Sequence, residues 1–197
     1  MKADGSQFKV CLNGEEQGCV NWPLTGDHNV YNALSAIVAA KHIGILPKDA
    51  IAALAEFKNV KRRMEVIAKI KGITLYDDFA HHPTAIETTL DGLRKQVGQE
   101  RIIAIVEPRS NTMRLGVHTE TLALSLHNAD KAILYQPENL GWDLSGLLKY
   151  ADNIEICRSL DEIIEKLKLE TRYGGHFVLM SNGSFGGIYQ RLQEALS

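Results

Sequence analysis

The sequence predicts an α/β protein built on a mostly parallel β-sheet with helices on both faces. Strand-like runs and amphipathic helical patterns alternate along the last two thirds of the chain, which is typical of parallel sheets. The run at residues 102–106 is apolar throughout, as expected for a strand that is covered on both sides. Strands are predicted at residues 64–70, 73–76, 102–106, 131–135, 154–157 and 177–180. This arrangement is Rossmann-like.

Helices are predicted between these strands. Pro83 suits the first position of a helix, and Ile86, Leu90 and Leu93 then form one apolar stripe. The other helical patterns cover residues 119–127, 144–150, 160–169 and 188–196.

The first sixty residues show a different pattern. The dipeptide Asn13-Gly14 predicts a β-hairpin, because both residues tolerate positive φ. Asp27 is expected to cap a helix, and Pro47 to begin a second, shorter one. A hairpin and two helices bury little apolar surface by themselves. We therefore interpret residues 1–60 as the end of one domain and residues 61–197 as another domain.

Composition argues against several functional classes. The chain of 197 residues has a formal net charge of −2 and 45% apolar residues, as in ordinary soluble globular proteins. It lacks the basic excess of a nucleic-acid binder, and no apolar run reaches the about 20 residues that cross a bilayer. Its three cysteines have no metal-type spacing, which indicates reduced thiols. We expect a cytoplasmic protein without a nucleic-acid or membrane partner.

Two short motifs suggest a nucleotide site. Asn29 and Asn32 lie one helical turn apart, and their amides offer the donor and the acceptor that an adenine edge needs. The alternative is that they cap or solvate the start of a helix. Arg62 and Arg63 precede a strand at the predicted domain junction, where a guanidinium group can bind phosphate oxygens. A solvated basic face is the alternative there.

The sharpest motif ends a predicted strand with Asp77 and Asp78 and continues with His81 and His82. Ligands of open α/β sheets bind outside the carboxyl ends of the strands, where a carboxylate can accept hydrogen bonds from ribose hydroxyls. The same four side chains are also good metal ligands. A metal-dependent hydrolase is therefore the competing interpretation, and a purely structural role is the third.

Two polar loops follow later strands. Residues 107–116 come after the most apolar strand, which is a natural place to bind an anionic substrate, although an ordinary connection has the same composition. Residues 181–187 form a glycine-rich loop before a helix, which can present backbone amides to an anion but does not match GxGxxG. We hypothesise that five residues of these loops bind an anionic substrate: Arg109, Ser110, Asn111, Ser181 and Asn182.

Three motifs, in this order and spacing, resemble the Mur ligases of bacterial cell-wall synthesis. They are Gly26-x-His28-Asn29-x-x-Asn32, Arg62-Arg63 and Asp78-x-Ala80-His81-His82-Pro83, and the likeness covers nearly the whole chain. Residues 107–113 and 181–187 are most similar to the branch that attaches the tripeptide L-alanyl-γ-D-glutamyl-meso-diaminopimelate to UDP-N-acetylmuramate in peptidoglycan recycling. The branch that adds L-alanine is the alternative.

The resemblance implies a chemistry and a domain order. ATP phosphorylates the muramate carboxylate, and the incoming amine displaces phosphate from the acyl phosphate, with Mg²⁺ stabilising the moving charge. The resemblance identifies residues 1–60 as the end of the central ATPase domain and residues 61–197 as the C-terminal Rossmann-like domain.

The resemblance also implies roles for individual residues. Asn29 and Asn32 lie beside the adenine, Arg63 near the phosphates and Asp78 on the ribose. The histidines shape the closed site rather than hold a metal: His28, His81 and His82.

The chain departs from the family in one respect. It contains no GxxxxGK[ST] phosphate-binding loop. We therefore expect that loop, the magnesium ligands and the UDP-sugar domain to precede Met1, and we expect this fragment to be inactive alone.

Overall fold

The computed structural model describes residues 1–109 and 119–197. Contacts divide the chain into two compact units. The first comprises Met1–Val60 with Asp91–Gly98, and the second comprises Lys61–Leu90 with Gln99–Ser197. Among the described residues, no helix combines the length and the apolar character needed to cross a membrane.

The first unit begins with a hairpin of two antiparallel strands, β1 (Gln7–Leu12) and β2 (Glu15–Asn21). Asn13 and Gly14 form its turn with φ angles of 51° and 86°, which explains why the sequence places this dipeptide there. Two helices follow, α1 (Asp27–His42) and α2 (Pro47–Ala55). The unit has a core of its own: Phe8, Val10, Val20, Trp22, Leu24, Ala33, Ile37 and Ile51.

One detail of the predicted helix start is wrong. Asp27 is the first helical residue of α1 rather than its cap, and Gly26 occupies the capping position without a side-chain hydrogen bond. Gly26 has a φ of 91°, a conformation that side-chain-bearing residues rarely adopt. Asp27 still lies in the first turn, where a carboxylate favours the helix dipole.

The second unit is a six-stranded sheet in the order β3-β4-β8-β5-β6-β7. Its strands are β3 (Glu65–Ile70), β4 (Ile73–Asp78), β5 (Ile102–Val106), β6 (Lys131–Tyr135), β7 (Ile154–Cys157) and β8 (Gly175–Met180). Only the edge strand β3 is antiparallel to its neighbour; every other pair is parallel. The predicted mostly parallel α/β sheet is therefore confirmed.

The helices after residue 60 are α3 (Pro83–Val97), α4 (Thr119–Ser125), α5 (Leu160–Glu170) and α6 (Ile188–Leu196). The part of α3 from Asp91 onward belongs to the first unit. Helices α5 and α6 pack on one face of the sheet, where Ile105, Phe177 and Leu179 belong to the core. The alternate strand positions are buried as well, so both faces are covered.

One predicted α-helix is instead a 3₁₀-helix, Leu144–Lys149, which Asp143 caps through the Ser145 amide. The run is short and contains Gly146, which favours the tighter turn over a stable α-helix.

Candidate functional site

Three neighbouring strands end together at one edge of the sheet. Strand β8 lies between β4 and β5, and its last residue, Met180, pairs with both Asp78 and Val106. The segments after these strands, residues 79–82, 181–187 and 107–109, therefore leave the sheet side by side. This agrees with the expectation from a parallel sheet, in which ligands bind outside the carboxyl ends of the strands.

Arg62 holds the segment that precedes β3 against this edge of the sheet. Its Nε donates to the Asp77 carboxylate (3.0 Å), and its Nη2 donates to the Ser181 carbonyl (2.7 Å) and the Tyr189 hydroxyl (3.1 Å). Its own carbonyl accepts the Phe79 amide (2.8 Å). Arg62 has a positive φ of 59°, an unusual conformation that these contacts hold in place.

Asp78, the last residue of β4, also binds the segment that contains Arg62. One carboxylate oxygen accepts the Ala80 amide (2.7 Å) and the other accepts the Met64 amide (2.8 Å). The residue is 2% exposed, and burial raises the pKa of its carboxyl against the opposing effect of these two amides. The predicted ribose acceptor thus binds two backbone amides in this structure, which fixes the turn that carries Arg63.

Arg63 lies between Arg62 and Met64, which are both held by the hydrogen bonds described above, and its own side chain is exposed. Its guanidinium carbon is 5.5 Å from the centre of the Phe79 ring, a cation–π contact. This contact holds a cation at the carboxyl edge, as a phosphate-binding residue requires.

The two histidines of the motif lie differently. The Nδ1 of His81 is 2.8 Å from the Phe79 carbonyl, and its ring packs edge-on against the Phe79 ring. His82 is exposed at the start of α3, and its carbonyl accepts the Ile86 amide. Asp77 pairs with Arg62, so the residues of the hydrolase alternative do not converge. Among the described residues, no group of three or more potential metal-ligating side chains is present.

Ser181 links the ends of β8 and β5. Its side chain is fully buried, and its hydroxyl donates to the Glu107 carboxylate while accepting the Gly183 amide (2.9 Å). The Glu107 amide in turn donates to the Met180 carbonyl (3.0 Å). Ser181 was predicted to contact substrate, but it has no exposed surface here, and we assign it to positioning the two loops.

Arg109 follows Glu107 and is exposed. Its guanidinium lies directly against the Cα of Gly183, where any Cβ would collide with it. The Oδ1 of Asn182 is buried without a hydrogen-bond partner among the described residues. Ser110 and Asn111, the other predicted substrate-binding residues, lie outside the described residues.

The predicted adenine residues belong to the first unit. The Asn29 amide donates to the Thr25 carbonyl (2.8 Å), and the Asn32 amide approaches the Asn29 side-chain oxygen at 3.5 Å. Helical spacing therefore brings the two amides together, as predicted, and Asn32 and His28 are exposed. The contact with Thr25 also agrees with the alternative role in the helix start.

Sequence reasoning missed Glu107 and Tyr189 and saw Arg62 only as half of a basic pair. Tyr189 carries no local signal, because it is one residue of the amphipathic helix α6 and meets Arg62 only in the folded chain. Glu107 is the first residue of the polar loop 107–116. A single carboxylate at the end of a strand was the signal in the sequence that could have identified it.

Comparison with known proteins gives consistent results. Residues 62–183 match the family described as Mur ligase, glutamate ligase domain. The chain is 43% identical, over its whole length, to a UDP-N-acetylmuramate–L-alanyl-γ-D-glutamyl-meso-2,6-diaminoheptandioate ligase of Escherichia coli K12. It is 44% identical over 98% of its length to the protein of the same name from Haemophilus influenzae.

A solved structure is similar as well. A murein peptide ligase from Psychrobacter arcticus superposes with a TM-score of 0.74 at 46% identity, and the match covers 100% of this chain. The chain spans less than half of each of these proteins, 44%, 43% and 43% of their lengths. The match to the family extends over more than half of the chain, and the carboxyl-edge motifs fall within it; the chain belongs to the Mur ligase family.

Proposed function

We propose that this chain is part of an ATP-dependent ligase that joins UDP-N-acetylmuramate to the tripeptide L-Ala-γ-D-Glu-meso-diaminopimelate in peptidoglycan recycling. The observation that carries this proposal is the identity of 43% and 44%, along nearly all of the chain, to two ligases named for that reaction. The reaction forms an amide between a carboxylate and an amine, which requires activation of the carboxylate. In this proposal ATP supplies it by forming an acyl phosphate.

The described residues fit the nucleotide in part. Arg63 offers an exposed guanidinium for phosphate oxygens, and the adjacent amides of Asn29 and Asn32 offer donors and acceptors for adenine. Asp78 acts first by fixing the turn around Arg63, and a direct ribose contact requires that its carboxylate become accessible. Asp77 and Asp78 are bound to Arg62 and to backbone amides, so we assign no magnesium ligand to the described residues.

The peptide fits the neighbouring strand end. The tripeptide carries carboxylates on its glutamyl and diaminopimelyl parts, so its site needs fixed cations. Arg109 supplies one, and its guanidinium lies against the backbone of Gly183. Asn182, with Ser110 and Asn111, supplies further polar contacts in this proposal, and His28, His81 and His82 shape the site around the substrates.

The domain assignment is part of the same proposal. Residues 1–60 correspond to the end of the ATP-binding domain, and residues 61–197 to the C-terminal domain. A chain with this content and no phosphate-binding loop is expected to show no ligase turnover alone. The complete protein is proposed to act in the cytoplasm, where ATP and UDP-N-acetylmuramate are available.

The test is an ADP-release assay on the complete gene product with UDP-N-acetylmuramate, ATP and either the tripeptide or L-alanine. The tripeptide is expected to support turnover; turnover with L-alanine alone would instead identify a UDP-N-acetylmuramate–L-alanine ligase.

Arg109→Ala is expected to raise the KM for the tripeptide at least about 30-fold, because it removes a charge-paired contact of ~2–5 kcal/mol. The KM for ATP should stay within about twofold. The matched control is Arg172→Ala, which removes an exposed arginine stacked on Tyr173. An unchanged tripeptide KM together with weaker UDP-N-acetylmuramate binding would assign the loop to the other substrate.

A further inference from the structure

The guanidinium of Arg62 joins three segments of the second unit. It donates to Asp77 at the end of β4, to the Ser181 carbonyl after β8 and to the Tyr189 hydroxyl of α6. The backbone amide of Arg62 donates to the Glu65 carboxylate (2.8 Å) at the start of β3. None of these segments can shift unless Arg62 loses a hydrogen bond or moves with it.

The turn at residues 62–64 is held by these contacts and not by its own backbone preference. Arg62 and Met64 have φ angles of 59° and 49°, a left-handed conformation that residues with long side chains rarely adopt. Such a conformation persists only where the surroundings hold it. If Arg62 is released, both residues return to the ordinary region of φ, and Arg63 between them changes direction. The turn therefore has a held and a relaxed arrangement, which is the kind of element that can couple two sites.

The Tyr189 hydroxyl completes the hold on Arg62. Burial, and then the nearby Asp77 carboxylate, raise the pKa of Tyr189 well above its ordinary value, so the hydroxyl stays protonated. Because a guanidinium only donates, the Tyr189 oxygen accepts from Arg62 and can donate its own proton to Asp77. The three side chains therefore form one group, and the loss of any member weakens the other contacts.

Ser181 connects this group to the end of β5. Its carbonyl accepts from Arg62, and its buried hydroxyl donates to Glu107, the residue that follows β5. The Glu107 carbonyl accepts the Arg109 amide (2.8 Å), and the Arg109 guanidinium lies against Gly183. A continuous series of hydrogen bonds therefore runs from Arg62 to Arg109.

We propose that Arg62 is a positioning residue that couples the binding of the nucleotide to the binding of the peptide. The proposal rests on the proposed function, in which Arg63 binds phosphate oxygens and Arg109 binds a peptide carboxylate. A peptide bound to Arg109 fixes the loops after β5 and β8, and the Ser181 carbonyl then keeps Arg62 in the arrangement that presents Arg63. Phosphate bound to Arg63 fixes the same loops through the same contacts. Each ligand therefore tightens the binding of the other by the same factor, because a coupling free energy is reciprocal.

The test measures binding without chemistry in the complete protein, with UDP-N-acetylmuramate and Mg²⁺ present throughout. Calorimetry gives the Kd of an ATP analogue whose β–γ bridging oxygen is replaced by NH, with and without saturating tripeptide. The unchanged protein is expected to bind the analogue at least about fivefold more tightly when the tripeptide is present. The reverse titration, of the tripeptide with and without the analogue, should give the same factor.

Two variants break the connection at different points and keep the proposed ligand-binding arginines. Tyr189→Phe removes one acceptor of Arg62, and Glu107→Ala removes the acceptor of the Ser181 hydroxyl. Each is expected to lower the coupling factor below about twofold. Glu107→Gln keeps an oxygen acceptor and should restore the factor. The control Tyr173→Phe, at an exposed tyrosine of the same unit, should leave it unchanged.

The ratio of the two Kd values separates coupling from a purely structural role. A variant that only loosens the fold weakens analogue binding equally with and without the tripeptide, so an unchanged coupling factor in either variant would overturn the proposal. The absence of coupling in the unchanged protein would overturn it too. A thermal melt verifies that each variant is folded. Failure of the proposed function is detected separately, as ADP release with L-alanine and not with the tripeptide, and the coupling to Arg109 is then rejected with it.

Discussion

The two edges of the sheet use polar residues in different ways. At the carboxyl edge, Arg62, Asp78 and Ser181 bind backbone groups of neighbouring segments. At the amino edge, Asp130 also accepts a backbone amide, but a group of charged side chains binds one another. Glu170 pairs with Arg101 and Lys131 at 2.8 Å each, and Lys131 and Lys166 both pair with Glu155.

This difference separates two tasks. A side chain that binds a backbone amide or carbonyl fixes where a chain segment lies, because the backbone group has a single position in that segment. A network of ion pairs whose cations are partly exposed neutralises charge and tolerates rearrangement, so it fixes geometry less strictly, although Glu170 itself is buried. The carboxyl edge is therefore built to position Arg63 and Arg109, whereas the amino edge stabilises the end of α5 against the sheet.

The largest expected effect comes from Arg62→Ala. It removes the side-chain hydrogen bonds to Asp77, Ser181 and Tyr189 and leaves Asp77, whose side chain is 12% exposed, without its cation. The arginine itself is 30% exposed, so we expect a loss of about 2–3 kcal/mol in the free energy of unfolding, below the range for a fully buried pair. Urea unfolding of this chain measures it.

Arg62→Lys sharpens the same experiment, since lysine keeps the charge but cannot reach Asp77 and Ser181 together. It should recover only part of the loss. Full stability in Arg62→Ala would show that the left-handed turn holds without the arginine.

Ser181→Ala should have an intermediate effect. It leaves the half-buried Glu107 carboxylate without this donor and the Gly183 amide without its acceptor. We expect a loss of about 1–3 kcal/mol in unfolding free energy. The control is Ser35→Ala, which removes an exposed hydroxyl that bonds only within α1. Equal stability of the two variants would contradict the positioning role of Ser181.

The smallest expected effect belongs to the amino edge. Glu170→Gln weakens the pairs with Arg101 and Lys131, and we expect a loss of about 0.5–1 kcal/mol that shrinks as salt is raised. The matched control in the same helix is Glu165→Gln, whose partner Lys168 and own side chain are exposed. The unfolding free energy of each variant is measured in low and in high salt. A loss for Glu170→Gln that does not depend on salt and exceeds the loss for Arg62→Ala would contradict the comparison between the edges.

The sequence by itself determined the fold class and most of the strands and helices, because these depend on local patterns. The turn at Asn13-Gly14 follows from residues that accept positive φ, and the apolar run 102–106 favoured a strand covered on both faces, which the structure confirms. Helix α1 begins at Asp27, which was predicted to be its cap, so the helix starts one residue earlier than predicted. The residue type only favours a capping position, because the backbone angles decide which residue is the cap.

The tertiary structure decided what the polar residues do. The sequence read Asp78 as a ribose or metal ligand, yet its carboxylate binds the amide of Met64, 14 residues away along the chain. Arg62 reaches the carbonyl of Ser181 across 119 residues, because β8 inserts between β4 and β5 in the sheet. No local pattern encodes that insertion. The sequence determines the chemistry of each side chain. The order of the strands in the sheet determines which side chains meet at one edge, and therefore which partner each side chain binds.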